Sequence, residues 1–161
     1  MLAYIALGSN LNNPVEQIHL ALAALKKIPE THLIIHSHLY HSKPLGPQNQ
    51  PDYINAVAAL ETQLEPIELL NILLEIEKQQ GRIRTHERWG ARILDLDIIL
   101  YDNIVLNTPE LTLPHPGLPV RNFWLYPLLE IVSDLILPDG TSLSTRVQQC
   151  SSKSLEKMAK V

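Results

Sequence analysis

The stretch RWGARILDLDIIL, residues 88–100, places two aspartates one residue apart inside an apolar segment. Successive side chains of a strand point to opposite faces, so Asp95 and Asp97 share one face, about 6 to 7 Å apart along the strand. The same alternation predicts a buried opposite face of leucine and isoleucine side chains, at Leu94, Leu96, Ile98 and Leu100. The segment therefore predicts a strand that is apolar on one side and acidic on the other.

Similar patterns predict the other strands of the sheet. LAYIAL, residues 2–7, is a short buried strand that is followed by a Gly-Ser-Asn turn. HLIIHSHLYH, residues 32–41, alternates as one strand with an apolar side at Leu33, Ile35 and Leu39. YINAVAALE, residues 53–61, is a further strand, and the proline-rich residues 42–52 before it form a long loop.

Two helices are predicted between these strands. The first runs from about residue 14 to residue 27, with Asn13 as its N-cap and Pro14 in its first turn. The second runs from about residue 66 to residue 80 and ends at Gly81. A short helix follows at about residues 124–132. The order βαββαβ favours an α+β fold, a ferredoxin-like αβ sandwich with a mostly antiparallel sheet and helices packed on it.

Length and composition limit the possible functions. The 161 residues predict a single domain over 1–161, and the formal net charge of −4 gives no general footprint for nucleic acid or membranes. The single cysteine, Cys150, excludes an intrachain disulfide and a cysteine cluster for zinc. No apolar run approaches the roughly 18 residues of a membrane span. We therefore expect a soluble cytoplasmic protein, whose last eleven residues are loosely held.

The two aspartates predict a magnesium site. Like charges at this spacing raise each other's pKa unless a cation joins them. Mg²⁺ prefers carboxylate oxygens, and it keeps waters and substrate phosphates as its other ligands. The alternative is a solvated strand face, which is the more frequent explanation for an Asp-x-Asp pair taken by itself.

A cluster of arginines precedes the acidic strand. Four of the six arginines of the chain lie within eleven residues, at Arg82, Arg84, Arg88 and Arg92. The planar guanidinium suits bidentate contact with phosphate oxygens, whereas the alternative is a solvated basic loop. No glycine-rich phosphate loop occurs in the sequence. Arginines beside a metal site are what phosphoryl transfer requires, because its catalysis is mostly positioning and charge stabilisation.

A second group suggests a flat ligand with a polar edge. Tyr53 and Asn55 alternate onto one face of their strand, and Phe123 is the only phenylalanine. Aromatic rings can sandwich a planar heterocycle, while an asparagine amide offers a donor and an acceptor to its edge. The alternative is that Tyr53 and Phe123 are core aromatics, and the pattern does not separate the two.

Three further charged residues are candidates for nucleotide contacts. His115 lies in the rigid turn LPHPG, and Arg121 follows it. Glu77 lies near the end of the second helix, where the helix dipole disfavours a negative charge. From position alone, Glu77 is better explained as a solvated acid that pairs with an arginine of the following loop.

These segments together resemble a known enzyme family. RWGARILDLDII (88–99), YIALGSNL (4–11), PLGPQNQPDYINAV (44–57) and LPHP (113–116) are similar to the 6-hydroxymethyl-7,8-dihydropterin pyrophosphokinases of folate biosynthesis. The resemblance covers nearly the whole chain. It implies transfer of pyrophosphate from ATP, as co-substrate, to the hydroxymethyl group of a reduced pterin, with two Mg²⁺ ions and AMP as the other product.

The resemblance also implies roles for individual residues. It implies that Asp95 and Asp97 bind both magnesium ions and that Arg82 and Arg92 hold the transferring pyrophosphoryl group. It implies nucleotide contacts from Glu77, Arg84, Trp89, Ile98, His115 and Arg121. It implies pterin contacts from Leu45, Tyr53, Asn55 and Phe123. The chain differs from the usual family pattern at Lys43, Glu110 and Pro116.

The interpretation is therefore a monomeric cytoplasmic pyrophosphokinase that binds two small molecules, ATP and the pterin, and neither nucleic acid nor a membrane. Two alternatives belong to other classes. A metal-dependent phosphohydrolase would also use the two aspartates, but it would release phosphate without a pterin. A ferredoxin-like RNA-binding module would need a basic sheet face with aromatics, which a pI of about 5.9 disfavours.

Overall fold

The computed structural model describes residues 1–45, 49–81 and 93–158, which form eight strands and four helices. The strands are β1 (Leu2–Ser9), β2 (Thr31–His36), β3 (Tyr40–Ser42), β4 (Tyr53–Thr62), β5 (Asp95–Tyr101), β6 (Leu106–Asn107), β7 (Thr112–Leu113) and β8 (Leu155–Lys157). The helices are α1 (Pro14–Leu25), α2 (Pro66–Gln79), α3 (Asn122–Ile131) and α4 (Leu143–Gln148). None of these helices is long and apolar enough to cross a bilayer.

Six strands form one sheet in the order β5-β1-β4-β3-β8, and β2 also pairs with β4. The two central strands pair from Leu2 opposite Glu61 to Ser9 opposite Ile54. All of the pairings described in this sheet are antiparallel. The predicted α+β fold, with a mostly antiparallel sheet and helices packed on it, is confirmed.

Helices cover both faces of the sheet. Ile5 and Leu7 point into one apolar core beneath α1 and α2, while Tyr4 and Ala6 point into a second core beneath α3 and α4. A strand buried on both sides needs a continuous apolar run, which explains the sequence LAYIAL. The second core places the beginning of α3 beside the open end of the sheet, where the acidic strand starts.

The two long helices begin where the sequence predicts. Pro14 and Pro66 each occupy the first turn, and Glu65 and Glu68 form a capping box at α2. Asn13 holds the N-cap position of α1, but its side chain makes no capping hydrogen bond. Helix α1 ends at Leu25 and is therefore shorter than predicted.

A bulge in β5 makes one part of the predicted alternation wrong. Tyr4 lies opposite Leu100 and Ile5 lies opposite Ile98, so Ile99 is an extra residue on β5. Beyond this residue the faces exchange, and Leu100 joins the core beneath α3 rather than the core that contains Leu94, Leu96 and Ile98. The carbonyl of Ile99 accepts a hydrogen bond from the His115 backbone N–H at 3.0 Å. The bulge therefore attaches the LPHPG turn to the acidic strand.

Three other predictions about the strands differ from the structure. The predicted strand 32–41 is divided into β2 and β3, and a register shift between Leu33 and Ile35 leaves the Ile35 side chain exposed instead of buried. Gly8 and Ser9 continue β1 rather than forming a turn. The end of the chain is not loosely held throughout, because β8 pairs with β3.

Candidate active site

A row of three residues crosses the sheet at the site. Gly8 of β1 lies opposite Asp95 of β5 on one side and opposite Asn55 of β4 on the other. A Cβ atom on Gly8 would lie 3.4 Å from Asn55 Oδ1 and 3.7 Å from Tyr53 Cδ1. Because Gly8 has no side chain, the sheet surface between the Asp95 carboxylate and the Asn55 amide is open, and it forms the floor of the site.

This floor belongs to a cleft with an empty volume of about 530 Å³. Its wall contains Asp95 and Asp97 at one end and the Asn55 side chain at the other, with further lining from Leu45, Tyr53, Arg121 and Phe123. The structure thus brings both predicted groups, the acidic and the aromatic, into one cavity.

The aromatic end of the cleft suits a planar ligand with a polar edge. Asn55 is 3% exposed, and its Nδ2 donates to Ser42 Oγ at 2.8 Å and to the Tyr40 carbonyl at 3.4 Å. These bonds fix the plane of the amide. Tyr53 and Phe123 are half-buried and line the cleft, so neither is an ordinary core aromatic.

The acidic end of the cleft suits a hard cation. Asp95 and Asp97 lie on the same strand face, as predicted, and Asp97 is 41% exposed. Carboxylate oxygens are the ligands that Mg²⁺ prefers, and it completes its shell with waters and phosphate oxygens. No group of three His, Cys, Asp or Glu that could hold a metal occurs in residues 1–45, 49–81 and 93–158. The described residues therefore fit a cation that is shared with a substrate.

His115 faces the acidic end in its neutral form. Burial, with a smaller contribution from the Arg121 charge, lowers the pKa of His115 to about 4. Its Nδ1 accepts a hydrogen bond from the Gly117 N–H at 2.9 Å, so the ring proton lies on Nε2. Nε2 is 3.9 Å from Asp97 Oδ1. The imidazole therefore presents a donor to the space beside this carboxylate.

Two expectations about nucleotide contacts need correction or restriction. Glu77 is not solvated, because it is 2% exposed and its Oε2 accepts the Leu96 N–H at 2.7 Å. This bond joins the end of α2 to the edge strand that carries both aspartates. Ile98 is 1% exposed and lies in the core on the opposite sheet face, so only its backbone could meet a nucleotide.

The remaining predicted site residues, Arg82, Arg84, Trp89 and Arg92, lie outside the described residues, as does Arg88. The structure adds cleft residues that pattern reasoning missed: Ser42 by its side chain, Lys43, Ala6 and Trp124. Ser42 and Lys43 lie at the start of the long loop, which was a signal for a site. Trp124 carried no such signal, because a tryptophan in an apolar helix predicts only core packing.

Solved structures share this architecture. Wild-type Plasmodium falciparum HPPK-DHPS superimposes with a TM-score of 0.73 at 13% sequence identity, over 92% of this chain and 44% of that one. A second structure, an HPPK-DHPS in complex with substrates, gives a TM-score of 0.70 at 12% identity over 92% of this chain and 45% of that one. The present chain thus spans less than half of each solved chain. At these identities the likeness establishes the fold.

Sequence comparisons are more specific. The family model for 7,8-dihydro-6-hydroxymethylpterin-pyrophosphokinase (HPPK) matches residues 4–133. The 2-amino-4-hydroxy-6-hydroxymethyldihydropteridine pyrophosphokinase of Haemophilus influenzae is 52% identical over 156 residues, covering 97% of each chain. That of Pseudomonas aeruginosa is 48% identical over 155 residues, covering 96% of this chain and 95% of the relative. The chain that carries this cleft therefore belongs to the 7,8-dihydro-6-hydroxymethylpterin-pyrophosphokinase family.

Proposed function

We propose that this chain transfers the pyrophosphoryl group of ATP to the hydroxymethyl group of 6-hydroxymethyl-7,8-dihydropterin in folate biosynthesis. The products are AMP and the pterin diphosphate. The observation that carries the proposal is the row of Asp95, Gly8 and Asn55 across three strands. The row joins the acidic end and the aromatic end of one cleft, which supports the binding of both substrates there, and family membership supports the same reaction.

The pterin occupies the aromatic end in this proposal. Tyr53 and Phe123 contact its two faces, and Leu45 covers it from the loop side. Asn55 meets the polar edge of the ring, in an orientation fixed by its bond to Ser42. A buried amide that must pair with the ligand discriminates strongly, because an analogue without matching groups leaves the amide unsatisfied.

ATP occupies the acidic end in this proposal. Asp95 and Asp97 hold two Mg²⁺ ions, which when bound neutralise charge on the phosphates. His115 Nε2 and the Arg121 guanidinium contact phosphate oxygens, and Arg82 and Arg92 hold the group that is transferred. Arg84 and Trp89 close over the ligands. Glu77 supports the nucleotide end of the cleft by accepting a hydrogen bond from the Leu96 N–H. Ile98 contacts the nucleotide through its backbone.

The chain's residues favour transfer by positioning rather than by covalent catalysis. The pterin hydroxyl oxygen attacks the β-phosphorus, the bond from this phosphorus to the oxygen of the α-phosphate breaks, and AMP leaves. The cleft needs to hold the hydroxyl and the phosphates in line, which is the main requirement of phosphoryl transfer. The Gly8 floor leaves the path between the two ends clear.

The identity of the nucleotide product tests this proposal directly. With ATP, Mg²⁺ and the pterin, we expect AMP to form one for one with pterin diphosphate, because attack on the β-phosphorus makes AMP the leaving group. Chromatographic separation of the nucleotides measures this ratio. Accumulation of ADP would indicate attack on the γ-phosphorus, and loss of ATP without the pterin would indicate a phosphohydrolase. The comparisons support neither this hydrolase alternative nor the RNA-binding module.

The pterin half of the site can be tested separately. We expect Asn55→Ala and Phe123→Ala to weaken pterin binding about tenfold to a hundredfold, since each loses interactions of about 1 to 3 kcal/mol. ATP binding should stay close to that of the parent. Calorimetric titration with each ligand measures both affinities, and Asn107→Ala on the exposed β6 is the matched control. Equal losses for the two ligands would mean that these residues support the fold instead.

We further propose that the chain acts as a monomeric single domain in the cytoplasm. Support for a single domain comes from the main sheet, which includes both β1 and β8. It also comes from the pairing of β8 near the C-terminus with β3. Sedimentation of the active protein at assay concentration tests the oligomeric state.

A further inference from the structure

Trp124 lines the cleft, and its ring contacts three other side chains. Its side chain is 4% exposed, in the first turn of α3. The Arg121 Cζ lies 4.4 Å from the centre of the indole ring. The His115 ring meets the indole edge-on, with centroids 4.6 Å apart and planes at 87°. Phe123 makes a more distant edge contact at 5.9 Å.

Gly117 holds the same arginine through its lack of a side chain. A Cβ atom at this position would lie 2.5 Å from Arg121 Nε and 2.7 Å from Cζ. The guanidinium therefore occupies space that any other residue at 117 would take. The Gly117 carbonyl also accepts the Arg121 backbone N–H at 3.1 Å, and its own N–H donates to His115 Nδ1. One short turn and one ring thus constrain both Arg121 and His115.

This arrangement addresses a specific cost of phosphate binding. A long arginine side chain has many rotamers, and it loses part of this freedom when the guanidinium is fixed on a ligand. A ring below the guanidinium preorganises it and so reduces the loss on binding, because cation–π attraction holds the group before the ligand arrives. From this position Arg121 lines the cleft.

We propose that Trp124 and Gly117 are positioning residues that together form a seat for the Arg121 guanidinium and orient it, with His115, toward the phosphates of ATP. The inference rests on the proposed function, in which Arg121 and His115 contact those phosphates. Neither seat residue touches the reacting atoms. Their contribution is to the affinity and alignment of the nucleotide, not to recognition of the pterin.

The first test compares two substitutions of the ring. Trp124→Leu should weaken binding of the α,β-methylene analogue of ATP about twofold to thirtyfold, the range that a cation–π contact of about 0.5 to 2 kcal/mol represents. Trp124→Phe should restore most of the loss, because it keeps an aromatic face. Pterin affinity should stay unchanged in both variants. Calorimetric titrations of the two ligands provide these values.

A matched control separates positioning from core packing. Leu128 lies on the same helix and in the same apolar core, and it is fully buried. Leu128→Ala should lower the thermal midpoint at least as much as Trp124→Leu does, yet leave the affinity for the ATP analogue unchanged. If Leu128→Ala weakens nucleotide binding to the same extent, Trp124 acts only through stability and the inference is overturned.

Gly117→Ala reaches the arginine without creating a cavity. The added methyl group should displace the guanidinium and weaken binding of the ATP analogue, while the thermal midpoint changes little. In an Arg121→Gln background, Gly117→Ala and Trp124→Leu should each cost much less nucleotide affinity, because the seat has lost its occupant. If either substitution costs as much nucleotide affinity in the Arg121→Gln background as in the parent, the proposal is overturned.

The outcomes also distinguish this inference from the proposed function. If the parent protein binds no ATP analogue, the proposed function itself fails. If the parent binds the analogue and turns over the pterin, but Trp124→Leu and Gly117→Ala bind the analogue as the parent does, only the seat is wrong.

Discussion

Replacing Asp95 or Asp97 with asparagine is expected to lower kcat/KM by more than about 10³, since a bound metal ion supplies several kcal/mol of charge stabilisation. Asparagine has the size of aspartate but lacks the negative charge that attracts Mg²⁺. Both side chains line the cleft, and their register leaves Gly8 and Ala6 beside them on β1. No neighbouring side chain on that strand can take over as a ligand.

Stability should respond very differently from activity. Asp97 is 41% exposed, and removal of one of two neighbouring like charges also relieves repulsion. The free energy of unfolding is therefore expected to change by less than about 1 kcal/mol. Denaturant titration of each variant beside its kinetics separates the two effects.

A matched control and a metal titration complete this experiment. Asp134→Asn removes an exposed aspartate outside the cleft, and it should leave turnover unchanged. Raising the Mg²⁺ concentration should recover part of the activity of the Asp95 and Asp97 variants if the metal still binds weakly. Near-parent activity of either variant at ordinary Mg²⁺ would show that its carboxylate is not a metal ligand.

The acidic strand shows how far alternation alone can predict a structure. It placed Asp95 and Asp97 on one face because a two-residue period fixes the direction of every side chain. It failed at Leu100 because Ile98, Ile99 and Leu100 are all apolar, and a bulge among equally apolar residues leaves no mark in the pattern. The position of the bulge depends on the LPHPG turn, whose His115 N–H binds the Ile99 carbonyl.

The chemical groups that line the cleft could be predicted, but the residues that orient those groups could not. Tyr53, Asn55 and Phe123 could be named as candidates because planar ligands require rings and an amide, and all three line the cleft. Ser42, which fixes the Asn55 amide, could not, because the bond depends on the register of β3 with β4. Such register is set by long-range pairing rather than by neighbouring residues.

Glu77 illustrates the opposite error. The charge of a glutamate near a helix end favoured a solvated position, but the free N–H of an edge strand needs an acceptor when it is buried. The Leu96 N–H supplies that donor. The spacing of four residues from Leu69 to Leu73 to Glu77 places Glu77 on the buried face of α2. Which strand edge that face meets is decided by the packing of α2 on β5.

Replacing Arg82 or Arg92 with alanine is expected to lower kcat by about 10² to 10³, the usual loss for one donor that stabilises charge in a transition state. Both residues lie outside the described part of the chain, so the expectation rests on the sequence. Four of six arginines fall within residues 82–92, directly before the acidic strand. Such a cluster can neutralise a group that carries two phosphates, whereas a single lysine offers one point charge.

The division between kcat and KM decides the role of these arginines. Charge on the transferred group redistributes as it leaves AMP, so an arginine that acts on that group stabilises the transition state more than the bound substrate. Steady-state kinetics with ATP varied at saturating pterin measures both constants. The control is Arg146→Ala on α4, which removes an arginine that donates to Asp139 at 2.9 Å. This substitution should leave kcat unchanged. A raised KM with unchanged kcat would assign Arg82 or Arg92 to uniform binding of ATP, because only interactions that strengthen in the transition state alter the chemical step.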